Sequence, residues 1–139
     1  MSGDVWDIER ILVATDGSPS ALDAVKVGVD LAQEDGAEVV AIHVASADGR
    51  DSPDPLPLDS AVSVARDHGV ELETHLAVGD DVVEVISELA DQLDADLVVV
   101  GSRGLNAALS SLLGSVSRGL AAQCPRPVLV VRSAHAAGG

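Results

Sequence analysis

Three glycines and a pair of serines carry the clearest chemistry in this chain. Gly101-Ser102-Arg103-Gly104 follows the apolar run Leu97-Val98-Val99-Val100 directly, and after nine intervening residues comes Gly114-Ser115-Val116-Ser117. Glycine lets backbone N–H groups approach a ligand closely, and a helix N-terminus concentrates partial positive charge. A loop that leaves a buried strand through glycines and re-enters a helix through Gly-Ser therefore describes a cradle for phosphate. Such a cradle binds without needing a catalytic side chain. It is not a Walker A loop, because G-x-x-x-x-G-K-[ST] and its lysine are missing, and it is not G-x-G-x-x-G. Taken singly, each glycine reads as an ordinary turn residue; the joint spacing between a strand and a helix favours the cradle. Arg103 is either a solvated surface arginine or the counter-charge for a polyphosphate. Ser115 and Ser117 are candidates for capping a helix, a role compatible with phosphate binding.

A second motif, Thr15-Asp16-Gly17-Ser18, follows the apolar run Ile11-Leu12-Val13-Ala14. Asp16 is a candidate either for capping a turn through its side chain or for contacting a ligand. His43 lies inside an apolar strand and reads as a hydrogen-bonded core residue rather than a catalytic one.

These motifs need elements to position them, and the chain alternates strand-like and helix-like patterns throughout. Ile11–Ala14, Val39–Val44, Leu97–Val100 and Val128–Val131 are short, nearly continuous apolar runs, as expected of parallel strands covered on both faces. Glu71-Leu72-Glu73-Thr74-His75-Leu76 alternates instead and reads as an edge strand with one wet face. Ser18 is a candidate N-cap with Pro19 at the first helical position, and Gly36 closes that helix. Asp81-Val82-Val83-Glu84 is a capping-box pattern, followed by Val82, Val85, Ile86, Leu89, Ala90 and Leu93 on one helical face. A short helix is expected over 58–68 and a last one from Ser115 to Gln123, before Pro125. Gly119 interrupts that last helix and weakens it by up to about 1 kcal/mol relative to Ala, with no functional reason visible in the sequence. Residues 46–57 hold Pro53, Pro55 and Pro57 without periodicity, so a mobile loop is expected there. Residues 1–6 and 134–139 are expected to fray. Five strands with intervening helices make one three-layer α/β domain over 1–139, in which ligands sit beyond the carboxyl ends of the strands.

Composition narrows the function classes. The core must be aliphatic, since the chain has no Phe or Tyr and a single Trp6. The lone Cys124 excludes an internal disulfide or a cysteine metal site, and a reducing cytoplasm is the expected location. No apolar run approaches the roughly 20 residues of a membrane span, and Met1-Ser2-Gly3-Asp4 lacks the basic start of a signal peptide. Against 23 acidic residues stand 8 basic ones, a formal charge of −15. Most of the acids are Asp, and Lys26 is the only lysine. Such a surface keeps copies of the protein apart, and it also suits a very salty cytoplasm, where a Debye length of about 3 Å at 1 M screens the repulsion. Without a basic stripe or an aromatic stacking platform, nucleic acid is excluded as an expected partner.

The pattern G-x2-G-x9-G-[ST], ending in Gly114-Ser115-Val116-Ser117, then Cys124-Pro125-Arg126-Pro127-Val128-Leu129-Val130-Val131-Arg132, resembles the universal stress protein family in its ATP-binding branch. Ile11–Ser18 and His43-Val44 resemble that family's other landmarks, so the likeness spans nearly the whole chain. The resemblance implies a Rossmann-like fold of the adenine nucleotide alpha hydrolase type, with strand order 3-2-1-4-5 and helices on both faces. It implies ATP, ADP or AMP, with Mg2+ or Mn2+, and a homodimer formed along the fifth strand, Val128–Val131. Carried over by position, it puts Ala14, Thr15 and Asp16 on the ribose side and Val44 against adenine through its backbone. Gly101, Arg103, Gly104, Gly114, Ser115, Val116 and Ser117 would hold the phosphates. The region 46–68 is shorter here than is usual in the family, which bears on what covers the adenine.

Rival functions leave marks that this chain lacks. A phospho-acceptor receiver domain needs a lysine after its fifth strand, where Val131-Arg132 stands. A nucleotide-transfer enzyme needs a general base near the glycines, yet Val100 to Gln123 contains no His, Lys, Asp, Glu or Cys. Slow ATP hydrolysis or self-phosphorylation on a nearby serine, and a nucleotide-free dimeric interaction module of the same fold, are the alternatives. The expected function is that of an adenine-nucleotide-binding stress-response sensor or regulator.

Overall fold

The computed structural model describes residues 8–45, 56–102 and 115–132. Its elements run β1 (Arg10–Ala14), α1 (Pro19–Asp35), β2 (Glu38–Ala45), α2 (Leu56–Asp67), β3 (Leu72–Val78), α3 (Val82–Gln92), β4 (Leu97–Gly101), α4 (Ser115–Gln123) and β5 (Val128–Val131). All strand pairs are parallel, and the sheet order is β3-β2-β1-β4-β5. This is the order that the resemblance implied. It makes β1 and β4 neighbours, with Ile11, Leu12 and Val13 in register with Leu97, Val98 and Val99.

The three central strands β2, β1 and β4 bury both faces, and the period of two sorts their side chains cleanly; β5, expected to be covered on both faces, is an edge strand with Leu129 exposed. Ile11, Val13, Val39, Ala41, Leu97 and Val99 face α1 and α2, where Ala24, Val25, Val29, Ala32, Leu58, Ala61 and Ala65 complete one core. Leu12, Ala14, Val40, Ile42, Val98 and Val100 face the opposite way, against Ile86 and Ala90 of α3 and Leu120 of α4. No Phe or Tyr fills either layer, so the layers close by near approach of backbone. A Cβ at Gly28 of α1 would lie 2.6 Å from a Val13 methyl, and one at Gly119 of α4 would lie 2.6 Å from a Val83 methyl of α3. Gly119 thus has a packing reason that no local pattern discloses: it lets α4 lie against α3.

Helix ends follow the local chemistry. Ser18 caps α1 by accepting from the Ala21 N–H at 3.2 Å, Pro19 takes the position where a missing N–H costs nothing, and Gly36 ends the helix at φ 68°. Asp81 caps α3 by accepting from the Glu84 N–H at 3.1 Å. Two residues expected in a loop differ. Leu56 and Pro57 begin α2, because proline is tolerated in a first turn and Leu56 opens the run of that helix. Residues 46–55, like the two termini, lie outside the described residues. The expected edge strand is β3, whose outer residues Leu76 and Val78 are exposed.

Polar clamps close the amino-end pole of the sheet. The Asp96 carboxylate accepts from the N–H groups of Glu9 at 2.8 Å and Arg10 at 3.1 Å, and Arg10 Nη1 donates to the Leu93 carbonyl at 2.6 Å. Arg126 spans Asp91 and Asp94 with its two guanidinium nitrogens, at 2.9 and 2.8 Å. Those two hydrogen bonds raise its pKa further above the ordinary arginine value. Among the described residues no helix is long and apolar enough to cross a membrane.

Candidate functional site

At the other pole, the carboxyl ends of β1 and β4 lie side by side and three segments converge. The first is the turn leaving β1. Thr15 is buried, its hydroxyl accepts from the Gly17 N–H at 3.1 Å, and Asp16 Oδ1 accepts from the Ser18 N–H at 2.9 Å. Asp16 therefore does cap the turn through its side chain, with one carboxylate oxygen used. Gly17 sits at φ 82°, a conformation that favours glycine, and a Cβ there would lie 3.3 Å from Pro57 at the start of α2. The beginning of α2 is thereby seated on the β1–α1 turn.

The second segment is the end of β4. Gly101 is its last residue, buried and paired with Val131. A Cβ on Gly101 would stand 2.7 Å from both the backbone oxygen and the hydroxyl of Ser20. The absence of a side chain at Gly101 is thus explained by the close approach of the first turn of α1. Neither this contact nor the one at Gly119 is visible in a sequence read locally, since each depends on a residue from a distant helix.

The third segment is the end of β2. The Thr15 N–H donates to the Ile42 carbonyl at 2.9 Å, so the polar groups of Ile42 face β1. Backbone groups alternate sides along a strand, which turns those of Val44 to the same side, just past the last paired residue of β1. That is the placement a backbone needs to read the hydrogen-bonding edge of a base. His43, between them, is half-buried, with Nδ1 3.0 Å from the Thr15 carbonyl oxygen. Since a carbonyl can only accept, Nδ1 carries the proton. The hydrogen bond expected of His43 is present, but the residue is half-buried rather than in the core, and its partner lies in the candidate site.

Ala14, Thr15, Asp16, Val44 and Gly101 are thus brought to one end of the sheet. Ser115, Val116 and Ser117 open α4, on the side of the sheet occupied by Ala14 and Val44. There Val116 packs against the core, Ser117 is 1% exposed, and Ser115 is on the surface. Arg103, Gly104 and Gly114 lie outside the described residues. Among the described residues, no group of three or more His, Cys, Asp or Glu side chains is placed to hold a metal ion.

Comparison with known proteins gives this geometry its context. Residues 7–132 match the universal stress protein family. A putative universal stress protein of Staphylococcus saprophyticus is 32% identical, over 90% of this chain and 84% of its own length. A universal stress protein of Methanocaldococcus jannaschii is 31% identical, over 89% of this chain and 82% of its own. Among solved structures, a universal stress protein in complex with cAMP superposes with a TM-score of 0.75 at 32% identity, covering 90% of this chain and 97% of that one. The Archaeoglobus fulgidus universal stress protein in complex with dAMP gives a TM-score of 0.70 at 27% identity, covering 89% and 98%. With its β3-β2-β1-β4-β5 sheet and a family match along nearly its full length, this chain belongs to the universal stress protein family.

Proposed function

We propose that the protein binds an adenine nucleotide beyond the carboxyl ends of β1, β2 and β4 and serves as a stress-response sensor or regulator in the cytoplasm. The observation that carries this reading is the Val44 backbone aimed past the end of β1, beside the Thr15–Asp16 turn. It offers a peptide donor and acceptor to the adenine edge and a carboxylate oxygen to ribose. The capture of cAMP and dAMP by relatives of the same fold supports it. In this assignment Ala14, Thr15 and Asp16 hold the ribose, while Gly101, Arg103, Gly104, Gly114, Ser115, Val116 and Ser117 surround the phosphates. The start of α4 supplies N–H groups and partial positive charge. ATP is the proposed ligand, with ADP and AMP sharing the same base and ribose contacts. Mg2+ or Mn2+ would enter on the phosphates, because the described side chains provide no cluster for it.

Nothing from Val100 to Gln123 can serve as a general base, so the site is proposed to hold nucleotide rather than turn it over. Mass spectrometry of protein purified in molar KCl is expected to identify a co-purified adenine nucleotide. Calorimetric titration of ATP with Mg2+ is expected to show Gly114→Val weakened at least about tenfold, since a side chain would fill space that a phosphate needs. Equal affinity in both proteins overturns the phosphate cradle. Absence of binding in either favours the nucleotide-free module.

A further inference from the structure

The ladder between β1 and β2 ends in an unusual way, and its last rung involves a side chain. The Thr15 N–H pairs with the Ile42 carbonyl. In a continuing parallel ladder the Thr15 carbonyl would next take the N–H of Val44, two residues further along β2. Instead the pairing of β1 with β2 stops at Ala14 and Ile42, and the Thr15 carbonyl is met by the ring of His43, at 3.0 Å from Nδ1. His43 comes from the same strand as the peptide it stands in for. Both polar groups of the Thr15 backbone are thus bonded to β2, while the chain turns away from the sheet immediately afterwards. That turn is held further on by Thr15 Oγ1 with the Gly17 N–H, by Asp16 Oδ1 with the Ser18 N–H, and by Pro57 against Gly17.

We propose that His43 is a positioning residue for base recognition: its Nδ1–H occupies the Thr15 carbonyl in place of the Val44 N–H. This keeps the Val44 peptide facing the ligand. The inference rests on the nucleotide-binding reading above and adds to it the group that prepares the adenine contact. A carbonyl left without this donor would either draw the Val44 N–H into one more rung or lose its partner in a half-buried place. In both cases the peptide that distinguishes adenine from guanine would be lost or displaced.

The amide of asparagine can place a donor near the position of Nδ1, whereas leucine provides none. Affinities for ATP and GTP, and amide hydrogen exchange without ligand, would be measured for the wild type, His43→Asn and His43→Leu. For His43→Leu, ATP affinity is expected to fall about tenfold, the loss appropriate to an unsatisfied half-buried carbonyl. The preference for ATP over GTP should shrink with it, and exchange at Gly17 and Ser18 should quicken. His43→Asn should keep affinity and preference near the wild-type values. A loss of stability with an unchanged ATP-to-GTP preference would mark His43 as merely structural and overturn the proposal. Unchanged exchange at Gly17 and Ser18 overturns it as well, and in both cases nucleotide binding itself stands. A wild-type protein that binds no adenine nucleotide in molar KCl overturns the underlying reading and this inference together.

Discussion

At the scale of single residues, the glycines separate into two kinds that look alike in the sequence. Gly17 and Gly36 adopt positive φ in turns, as their neighbours Asp16 and Asp35 would lead one to expect. Gly28, Gly101 and Gly119 are needed for approach: the space of their missing Cβ is taken by Val13, Ser20 and Val83. Helix propensity says that Gly119→Ala should stabilise α4 by up to about 1 kcal/mol. The Val83 methyl 2.6 Å from that Cβ says otherwise, because overpacking at a well-filled contact typically costs about 1–3 kcal/mol. The contact should win, so Gly119→Ala is expected to lower the denaturation midpoint. Trimming the neighbour in Val83→Ala/Gly119→Ala should recover part of the loss, which a double-mutant cycle would measure. A stabilised single variant would show that α3 and α4 separate freely.

At the scale of elements, the hydrophobic runs and caps were legible because their causes are local. Ile11–Ala14, Leu97–Val100 and Val128–Val131 lie within a residue of the observed strands, and Ser115–Gln123 is α4. Ser18 and Asp81 cap as their types suggest. Sheet order was not legible from periodicity; it came through the family's motif, since nothing local says which edge of β1 receives β4. The start of α2 was hidden by prolines that read equally well as loop. The His43–Thr15 bond was hidden because it joins residues 28 positions apart. The cap of α3 is testable on its own: Asp81→Ala should cost about 1 kcal/mol, from loss of the bond to the Glu84 N–H and of the favourable charge at the helix start. Urea melts read that change directly, and a value near zero would mean that water replaces the carboxylate. The β5 edge carries a second element-scale expectation. Leu129 is exposed there at 37%, on a strand that pairs on one side only among the described residues. If two copies join along Val128–Val131, as the family resemblance implies, burying Leu129 contributes to the association, and Leu129→Asp should shift that dimer toward monomer in light scattering. A wild-type monomer at the same concentration would remove β5 as the interface.

At the scale of the whole molecule, charge rather than packing distinguishes this chain, and its effect can be isolated from other actions of salt. A formal −15 spread over 139 residues opposes the compact state through self-repulsion. The range of that repulsion shrinks from about 10 Å at 0.1 M to about 3 Å at 1 M salt. The proposed adaptation to a salty interior therefore predicts a melting temperature that rises between 0.1 M and about 2 M KCl. A rise alone is ambiguous, because salt can also strengthen apolar burial. The end of α1 provides the control. Glu34 and Asp35 are exposed in its last turn, where no basic residue stands and the helix terminus is itself partially negative. Removing both charges in Glu34→Gln/Asp35→Asn changes almost no apolar area. It should stabilise by about 0.3–1 kcal/mol per residue at low ionic strength. That gain should largely vanish at about 2 M KCl, where screening already does the same work. If the gain persists unchanged at high salt, or never appears at low salt, the response of the wild type to KCl is one of hydration and burial, and the acidic surface is not an adaptation to salt.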